Sequence, residues 1–477
     1  MGKSEYPFIP SSPPIPALVP RDGIGHQFVC YADCCSGVPG TPHEAAFAAV
    51  NGVVARLRPQ PEFICFPGDE IRGLTADDEV LRSQWRYWFE QEMAWLDRQA
   101  TPLYHTTGNH TTYDATSEAV FREVLTYLPR NGPAGQEGLS YFVRRDDLLL
   151  VFVNTIWSGL GGEGRVETAW LDRALDDHAH ARYKLVLGHH PVHPVNGFSG
   201  PYQREIAPEN GRAFWKVLVR HGVLAYICSH ILAFDVQVHE GVLQILTAGA
   251  GTTERMPEGI EYLHCAQASL DASGLRYQVL DTAGEIREWL AWPLTLPPSA
   301  TWTPVALGVH PAPGCSNGKG DAAQARLVAW RFSGTCPPTG HREAQTLLSG
   351  WSPGPALAPL WIGLLGREHR LSVLLSPAPG RSPHLWRGPA LPPGKPFDIQ
   401  VAIHTGMGPG GLLWRWGDAS LWSSLAAASP WGAERLTWPK HWSVGQGLRG
   451  SDDRPFRGRD LQIAWYVEML EAEKFMQ

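Results

Sequence analysis

Five short polar clusters, each standing directly behind an apolar run, constrain this chain more than any other feature of its sequence. In order they are Tyr31-Ala32-Asp33-Cys34-Cys35, Gly68-Asp69-Glu70, Gly108-Asn109-His110, Gly188-His189-His190-Pro191 and Ser229-His230-Ile231-Leu232. The runs in question (His26 to Tyr31, Phe63 to Phe66, Leu103 to Thr106, Lys184 to Leu187, Leu224 to Cys228, with Leu148 to Asn154 between) have the length and continuous apolarity of buried strands. Amphipathic stretches alternate with them: His43 to Leu57, Glu79 to Arg98, Ser117 to Tyr127, Glu167 to His178 and Gly211 to His221. Their apolar residues follow helical spacing, as in Val120, Phe121, Val124, Leu125 and Leu128. Alternation of this kind specifies an α/β domain and gathers the polar clusters at the carboxyl edge of a sheet. A hairpin around Asp146-Asp147 and a run of strands from Val236 to Trp292 make that sheet mixed.

The rest of the chain reads differently. Residues 291–303 hold three prolines and few charges and are expected to be a linker closing a domain over 27–290. Beyond them, from residue 304 to 477, strand-like segments bounded by Gly and Pro (Ala325 to Phe332, Leu360 to Leu365, Leu371 to Leu375, Phe397 to His404, Gly411 to Trp416, Leu461 to Val467) predict an all-β sandwich. Residues 1–26 are proline-rich and read as an extended arm, with no apolar block suited to a signal peptide. No stretch is apolar for long enough to span a bilayer, and four of the eight cysteines (Cys30, Cys65, Cys228, Cys265) lie in or beside apolar runs as free thiols would, so a cytoplasmic protein is expected. A formal charge of −7 with both signs interspersed argues against nucleic acid as a partner, because counterion release needs a basic surface.

Taken in succession, the clusters offer carboxylate, carboxylate, amide oxygen, imidazole and imidazole, the donor set that hard-to-borderline divalent cations require. Their order also resembles the calcineurin-like metallophosphoesterase family, whose pattern runs Asp-x-His, Gly-Asp, Gly-Asn-His-(Asp/Glu), Gly-His and Gly-His-x-His. The resemblance covers about residues 28–250 and implies an α/β sandwich that hydrolyses a small phosphorylated substrate, a phosphomonoester or phosphodiester, with divalent metal (Zn, Fe or Mn). Carried over position by position, it implies one metal site of Asp69, Asn109, His189 and His230, and a catalytic role for His110.

The implied second site departs from the family. Asp33 is present and Asp69 could bridge, but Cys35 stands where the family has the first histidine and Leu232 where it has the last. Either Cys35, or less readily Cys34, supplies a thiolate to a second and weaker ion, or Cys35 is a small buried residue and one tight ion suffices. Thr111 replaces the acid that follows Gly-Asn-His, so the partner that orients His110 is missing or comes from elsewhere; Ser229 replaces a glycine. Nearby His193, Asn196, Tyr113 and Trp157 read as loop packing before substrate contacts.

In the C-terminal part, Phe397 to Trp416 and Pro455 to Leu461 resemble laminin-G or concanavalin-like lectin domains, which implies a jelly-roll sandwich and a carbohydrate or protein ligand. The nine tryptophans between Trp351 and Trp442 fit a sandwich core at least as well as a sugar-binding face. A metal-dependent hydrolase is therefore expected, the alternative being a binding protein for phosphate or glycan on a decayed phosphoesterase scaffold.

Overall fold

The computed structural model describes residues 13–156, 164–195, 205–251, 261–293, 301–311, 325–340, 343–351, 360–375, 384–405, 411–416, 419–424, 441–446 and 454–470. The chain divides into two compact units that meet in sequence between Pro293 and Leu294. In chain order the first contains β1 (Ile15–Pro16), β2 (His26–Cys30), α1 (Pro42–Arg56), β3 (Leu57–Arg58), β4 (Phe63–Phe66), α2 (Asp78–Tyr87), β5 (Leu103–His105), α3 (Ala115–Val124), β6 (Tyr141–Arg145) and β7 (Leu148–Phe152). It continues with α4 (Thr168–Asp177), β8 (Tyr183–Leu187), α5 (Pro208–Arg220), β9 (Ala225–Cys228), β10 (Phe234–His239), β11 (Val242–Thr247), β12 (His264–Asp271), β13 (Gly274–Asp281) and β14 (Ile286–Trp292).

The α/β fold with mixed sheets that the resemblance implies is present as two six-stranded sheets, ordered β14-β13-β12-β2-β4-β5 and β10-β11-β9-β8-β7-β6, and the polar clusters, read as lying at the edge of one sheet, are divided between them. Each has a parallel core, β2-β4-β5 in one and β7-β8-β9-β11 in the other, flanked by antiparallel strands. Strand periodicity could not reveal this split, because a parallel strand buried on both faces looks the same whichever sheet receives it. The second sheet packs α4 and α5 through Trp170, Leu171, Leu175, Phe214 and Leu218, with Leu149, Val151, Val186 and Tyr226 beneath them. Among the described residues no helix is long and apolar enough to cross a membrane.

Local chemistry sets the helix ends. Thr41 caps α1 by accepting from Glu44 N–H, with Pro42 in the first turn, and Asp114 with Ser117 closes a capping box on α3. The helix expected from Glu79 to Arg98 is shorter: α2 ends at Tyr87 and passes into a π-helical turn, Trp88–Glu92. That turn keeps both Trp88 and Glu92 buried, and the Glu92 carboxylate is bonded to the loop after β2. The described part of the N-terminal arm is an extended strap: β1 pairs with β3, and Gln267 exchanges bonds with Leu18 N–H (2.8 Å) and Leu18 C=O (3.0 Å).

A polar clamp joins the two sheets away from their carboxyl ends. His26, only 3% exposed on β2, has Nε2 3.1 Å from Asp147 Oδ1 at the β6–β7 turn and Nδ1 3.3 Å from the Glu62 carboxylate, which also binds Arg145. Burial disfavours the imidazolium, but the bonds and charges of Glu62 and Asp147 outweigh it and raise the His26 pKa. The clamp therefore stabilises the fold fully below the unfolded histidine value of about 6.5 and loses its effect as pH rises through the higher folded value. Both acids are about a third exposed, so the contribution is about 1 kcal/mol or less. In urea unfolding, the stability gap between the unmodified chain and His26→Gln is expected to be widest in acid and to close with rising pH; a gap independent of pH would show that the imidazolium is not involved.

The second unit is β-rich. One sheet runs Thr303–Val305, Arg459–Leu470, Ala325–Thr335, Pro396–Thr405, Gly411–Trp416, Ala419–Ser424, all antiparallel. The other runs Gly308–Pro311, His441–Val444, Gln345–Trp351, Leu360–Leu365, Arg370–Leu375, His384–Ala390, with the short Arg454–Pro455 paired parallel to Gln345–Trp351. Buried Trp330 of the first and Trp442 of the second meet with ring centroids 5.3 Å apart. Trp361 is buried too, its Nε1–H donating to Thr346 Oγ1 at 2.9 Å, so these indoles serve the core and not a surface. The side chains of Trp351, Trp386, Trp414, Trp416, Trp422, Trp431 and Trp438 lie outside the described residues.

Candidate metal centre

The loops after β2, β4 and β5 come from one sheet and those after β8 and β9 from the other, and the five clusters sit on these loops. The loops after β2 and β4 continue side by side beyond their strands: Asp33 N–H donates to Gly68 O (3.2 Å), Cys35 N–H to Asp69 O (2.8 Å) and Ser36 N–H to Glu70 O (3.0 Å). Asp33, Cys35, Asp69 and His230 all adopt left-handed backbone conformations, with φ of 58°, 44°, 59° and 72°. Such residues cost about 1–3 kcal/mol each and persist where surrounding bonds over-determine them, typically at functional sites. Two motif glycines are sterically required: a Cβ on Gly108 would stand 2.1 Å from Asp69 Oδ1, and one on Gly68, itself at φ 99°, 2.7 Å from His189 Nδ1.

His189 is the centre of the arrangement. It is fully buried, and its Nδ1 lies 2.9 Å from both Pro67 O and Ser229 Oγ, which places the ring hydrogen on that side. Its Nε2 faces Asn109 Oδ1 at 3.0 Å, His230 Nδ1 at 3.0 Å and Asp69 Oδ2 at 3.2 Å. Donor atoms about 2.0–2.2 Å from a tetrahedral ion stand about 3.3–3.5 Å apart, so the three distances to His189 Nε2 fall short of a coordination shell by only a few tenths of an ångström. A backbone carbonyl behind a ligating imidazole is also what fixes its tautomer in metal sites. The residues present therefore fit a divalent cation. Ser229 is more than a tolerated glycine substitute, since its hydroxyl donates to Pro67 O at 2.6 Å and touches the His189 ring.

The buried acids and imidazoles of the pocket shift one another's protonation. Burial works against charge on Asp69, yet His189 and then His110 outweigh it and hold this carboxyl below its usual range. Burial likewise opposes the His189 imidazolium, but Asp69 and Asp33 raise it. Asp33 is pushed up, first by burial and then by Asp69, despite His189 nearby. Without a cation, then, a proton on His189 balances the carboxylates. His190 is a buried neutral ring, its pKa lowered to about 3 by burial and by His189, with Nδ1 2.9 Å from Thr155 Oγ1.

His110 stands at the partly exposed edge of the group. Its N–H donates to Asp69 Oδ1 (2.8 Å), and its ring Nδ1 lies 2.7 Å from the backbone carbonyl of Arg72. That carbonyl is the orienting partner that the absence of an acid at Thr111 left open, and a main-chain atom has no sequence signature. Leu74 N–H donates back to His110 O at 3.1 Å. With Nδ1 committed as donor, Nε2 is the nitrogen free to handle a proton.

Among the described residues two sets of side chains could hold an ion, each with ligand atoms within 4.8 Å of one another: Asp69, His189 and His230, and Cys35, Asp69 and His110. Asp33 falls in neither; its Oδ2 accepts from His230 N–H at 3.1 Å. Cys34 is fully buried and belongs to neither set. Leu232 is buried, offering no donor. His193 stacks on His239 (3.5 Å between centroids) and meets Trp215 edge-on, which is packing, while Asn196 and Trp157 lie outside the described residues.

Two buried acids have roles that the sequence does not give: Glu70, the last residue of its cluster, and Glu92, which lies in none. Glu70 Oε1 binds His105 Nδ1 at 2.8 Å, and His105 Nε2 meets Tyr127 OH at 2.7 Å, tying the loop after β4 to the end of β5 and to the segment after α3. Glu92 accepts from Ser36 Oγ–H and, at 3.1 Å, from Gly37 N–H, bracing the loop that carries Asp33 and Cys35. Burial raises the Glu92 pKa to about 7, against the opposing effect of Ser36 and Gly37.

Residues 27–234, which contain all five clusters, match the family model of the calcineurin-like phosphoesterases. No curated protein matches the chain. Among solved structures it is similar to a purple acid phosphatase from yellow lupin (Lupinus luteus) seeds, 11% identical over 56% of this chain and 53% of that one, with a TM-score of 0.42. It thus spans about half the length of the lupin protein. A dimetal phosphatase from Danio rerio is 17% identical over 53% of this chain and 95% of that one, with a TM-score of 0.39. The CBM40 of a Ruminococcus gnavus IT-sialidase, bound to α2,6 sialyllactose, is 14% identical over 37% of this chain and 94% of that one, with a TM-score of 0.25.

Proposed function

We propose that this calcineurin-like phosphoesterase domain, residues 27–290, hydrolyses a phosphomonoester or phosphodiester with one tightly held divalent cation (Zn, Fe or Mn) whose ligands are Asp69, Asn109, His189 and His230. The observation that carries the reading is the convergence of the other three donors on His189 Nε2 at 3.0–3.2 Å. A cation held there supplies Lewis-acid polarisation of the phosphoryl oxygens and acidifies water. The chain's own residues do the rest. Asn109 and His110 leave the mouth of the site partly open to substrate, while buried Asp69, His189 and Asp33 exclude bulk water from its floor. Arg72 O fixes the His110 tautomer, so that Nε2 holds the proton delivered to the leaving oxygen as the ester bond breaks. The free thiols of the seven described cysteines support a reducing, cytoplasmic setting.

The test is metal-dependent turnover. Protein stripped with a chelator is expected to be inactive toward chromogenic phosphomonoesters and diesters, and to recover with one equivalent of Zn, Fe or Mn. Stoichiometric binding without hydrolysis of either class would favour the alternative, a phosphate-binding protein on this scaffold.

A further inference from the structure

The second set, Cys35, Asp69 and His110, shares Cys35 and Asp69 with the second metal site implied by the sequence but has His110 in place of Asp33. Asp33, its expected anchor, is engaged with His230 N–H (3.1 Å) and lies outside the set, whereas His110 lies inside it. Asp69 can serve both sets, because its two oxygens diverge: Oδ2 is 3.2 Å from His189 Nε2 and Oδ1 is 2.8 Å from His110 N. His110 Nδ1 is occupied by Arg72 O, which leaves Nε2 as the lone pair it can offer. The set also has an entrance, since His110 is partly exposed while Cys35 and Asp69 are buried.

From this juxtaposition we propose that Cys35, Asp69 and His110 form an inhibitory cation site for a thiophilic divalent ion of the zinc class. Sulfur and imidazole select such an ion over magnesium or calcium, which prefer all-oxygen shells. On binding, the Cys35 S–H bond gives its proton to solvent as the sulfur–metal bond forms, and the His110 Nε2 lone pair is withdrawn from proton transfer. The inference rests on the function proposed above for its inhibitory half only. The enzyme is thereby active with its first ion and self-limited by a second.

The experiment is a Co(II) titration of the stripped full chain, following a thiolate-to-cobalt charge-transfer band in the near ultraviolet alongside hydrolysis of a chromogenic phosphate ester. The first equivalent is expected to give activity without the band, and the second to give the band with loss of activity. Cys35→Ser should remove the band and weaken second-ion affinity by about 10–100-fold, and His110→Gln should keep the band while weakening affinity over a similar range. Excess Mg should produce neither band nor inhibition. A band with the first equivalent, a second ion bound without one, or second-ion binding of unchanged affinity in His110→Gln would overturn the site, as would a band that grows while activity persists. A chain that never hydrolyses ester overturns the proposed function instead, and the band still decides whether the cation site exists.

Discussion

His110→Ala, assayed with a single equivalent of metal, is expected to lower turnover by about 10²–10⁴-fold while the first ion stays bound. The magnitude is that of losing a positioned proton donor together with its charge beside the reacting group. Metal retention follows from geometry: the donors around His189 Nε2 come from Asp69, Asn109 and His230, and His110 contributes only a backbone N–H to Asp69. The dependence should be read in the turnover number with the bound metal measured on the same sample. Full activity in His110→Ala would remove this residue from the mechanism and leave Arg72 O without the purpose assigned to it.

Asp69→Ala is expected to have the larger effect on the centre itself. Its carboxylate belongs to both candidate ion sets and offsets the buried His189 ring. Removing one partner of a neighbouring layer already weakens metal binding by about 10–100-fold, so loss of this shared ligand should exceed that range and take turnover to background. Breaking a buried ion pair costs about 3–5 kcal/mol when the remaining charge persists, and less here to the extent that His189 sheds its proton once Asp69 is gone. Ions in this pocket must displace the His189 proton, whose affinity Asp69 and Asp33 raise, so in the unmodified chain metal affinity should climb with pH through the neutral range and fall in acid. Equilibrium dialysis at several pH values would expose an affinity that does not change, and with it a site that does not use His189.

The sequence itself determined a good deal. Continuous apolar runs gave the strands, three-and-four spacing gave the helices within a few residues, and four of the five clusters named the polar side chains, Asp69, Asn109 and His230, that the structure gathers around His189. These features are legible because periodicity and residue chemistry are local. The end of α2 is not legible for the opposite reason: Glu79 to Arg98 has helical spacing throughout, but Glu92 is bonded to Ser36 and Gly37 across a sequence gap, and it lies in the π turn, Trp88–Glu92, into which the helix passes.

What only the tertiary structure decided lies in contacts made by backbone atoms and by side chains distant in sequence. The division of the clusters between two sheets depends on strand pairing, which buried parallel strands do not advertise. The partner of His110 is a main-chain carbonyl, and no residue type marks such an acceptor. Which residues accompany Cys35 follows from the left-handed turns at Asp33, Cys35 and Asp69, which aim side chains where an extended chain would not. A two-residue spacing such as Asp33-x-Cys35 predicts a shared face only if the backbone between is regular. Here it is not, and so the sequence supplied the donors while the fold chose their company.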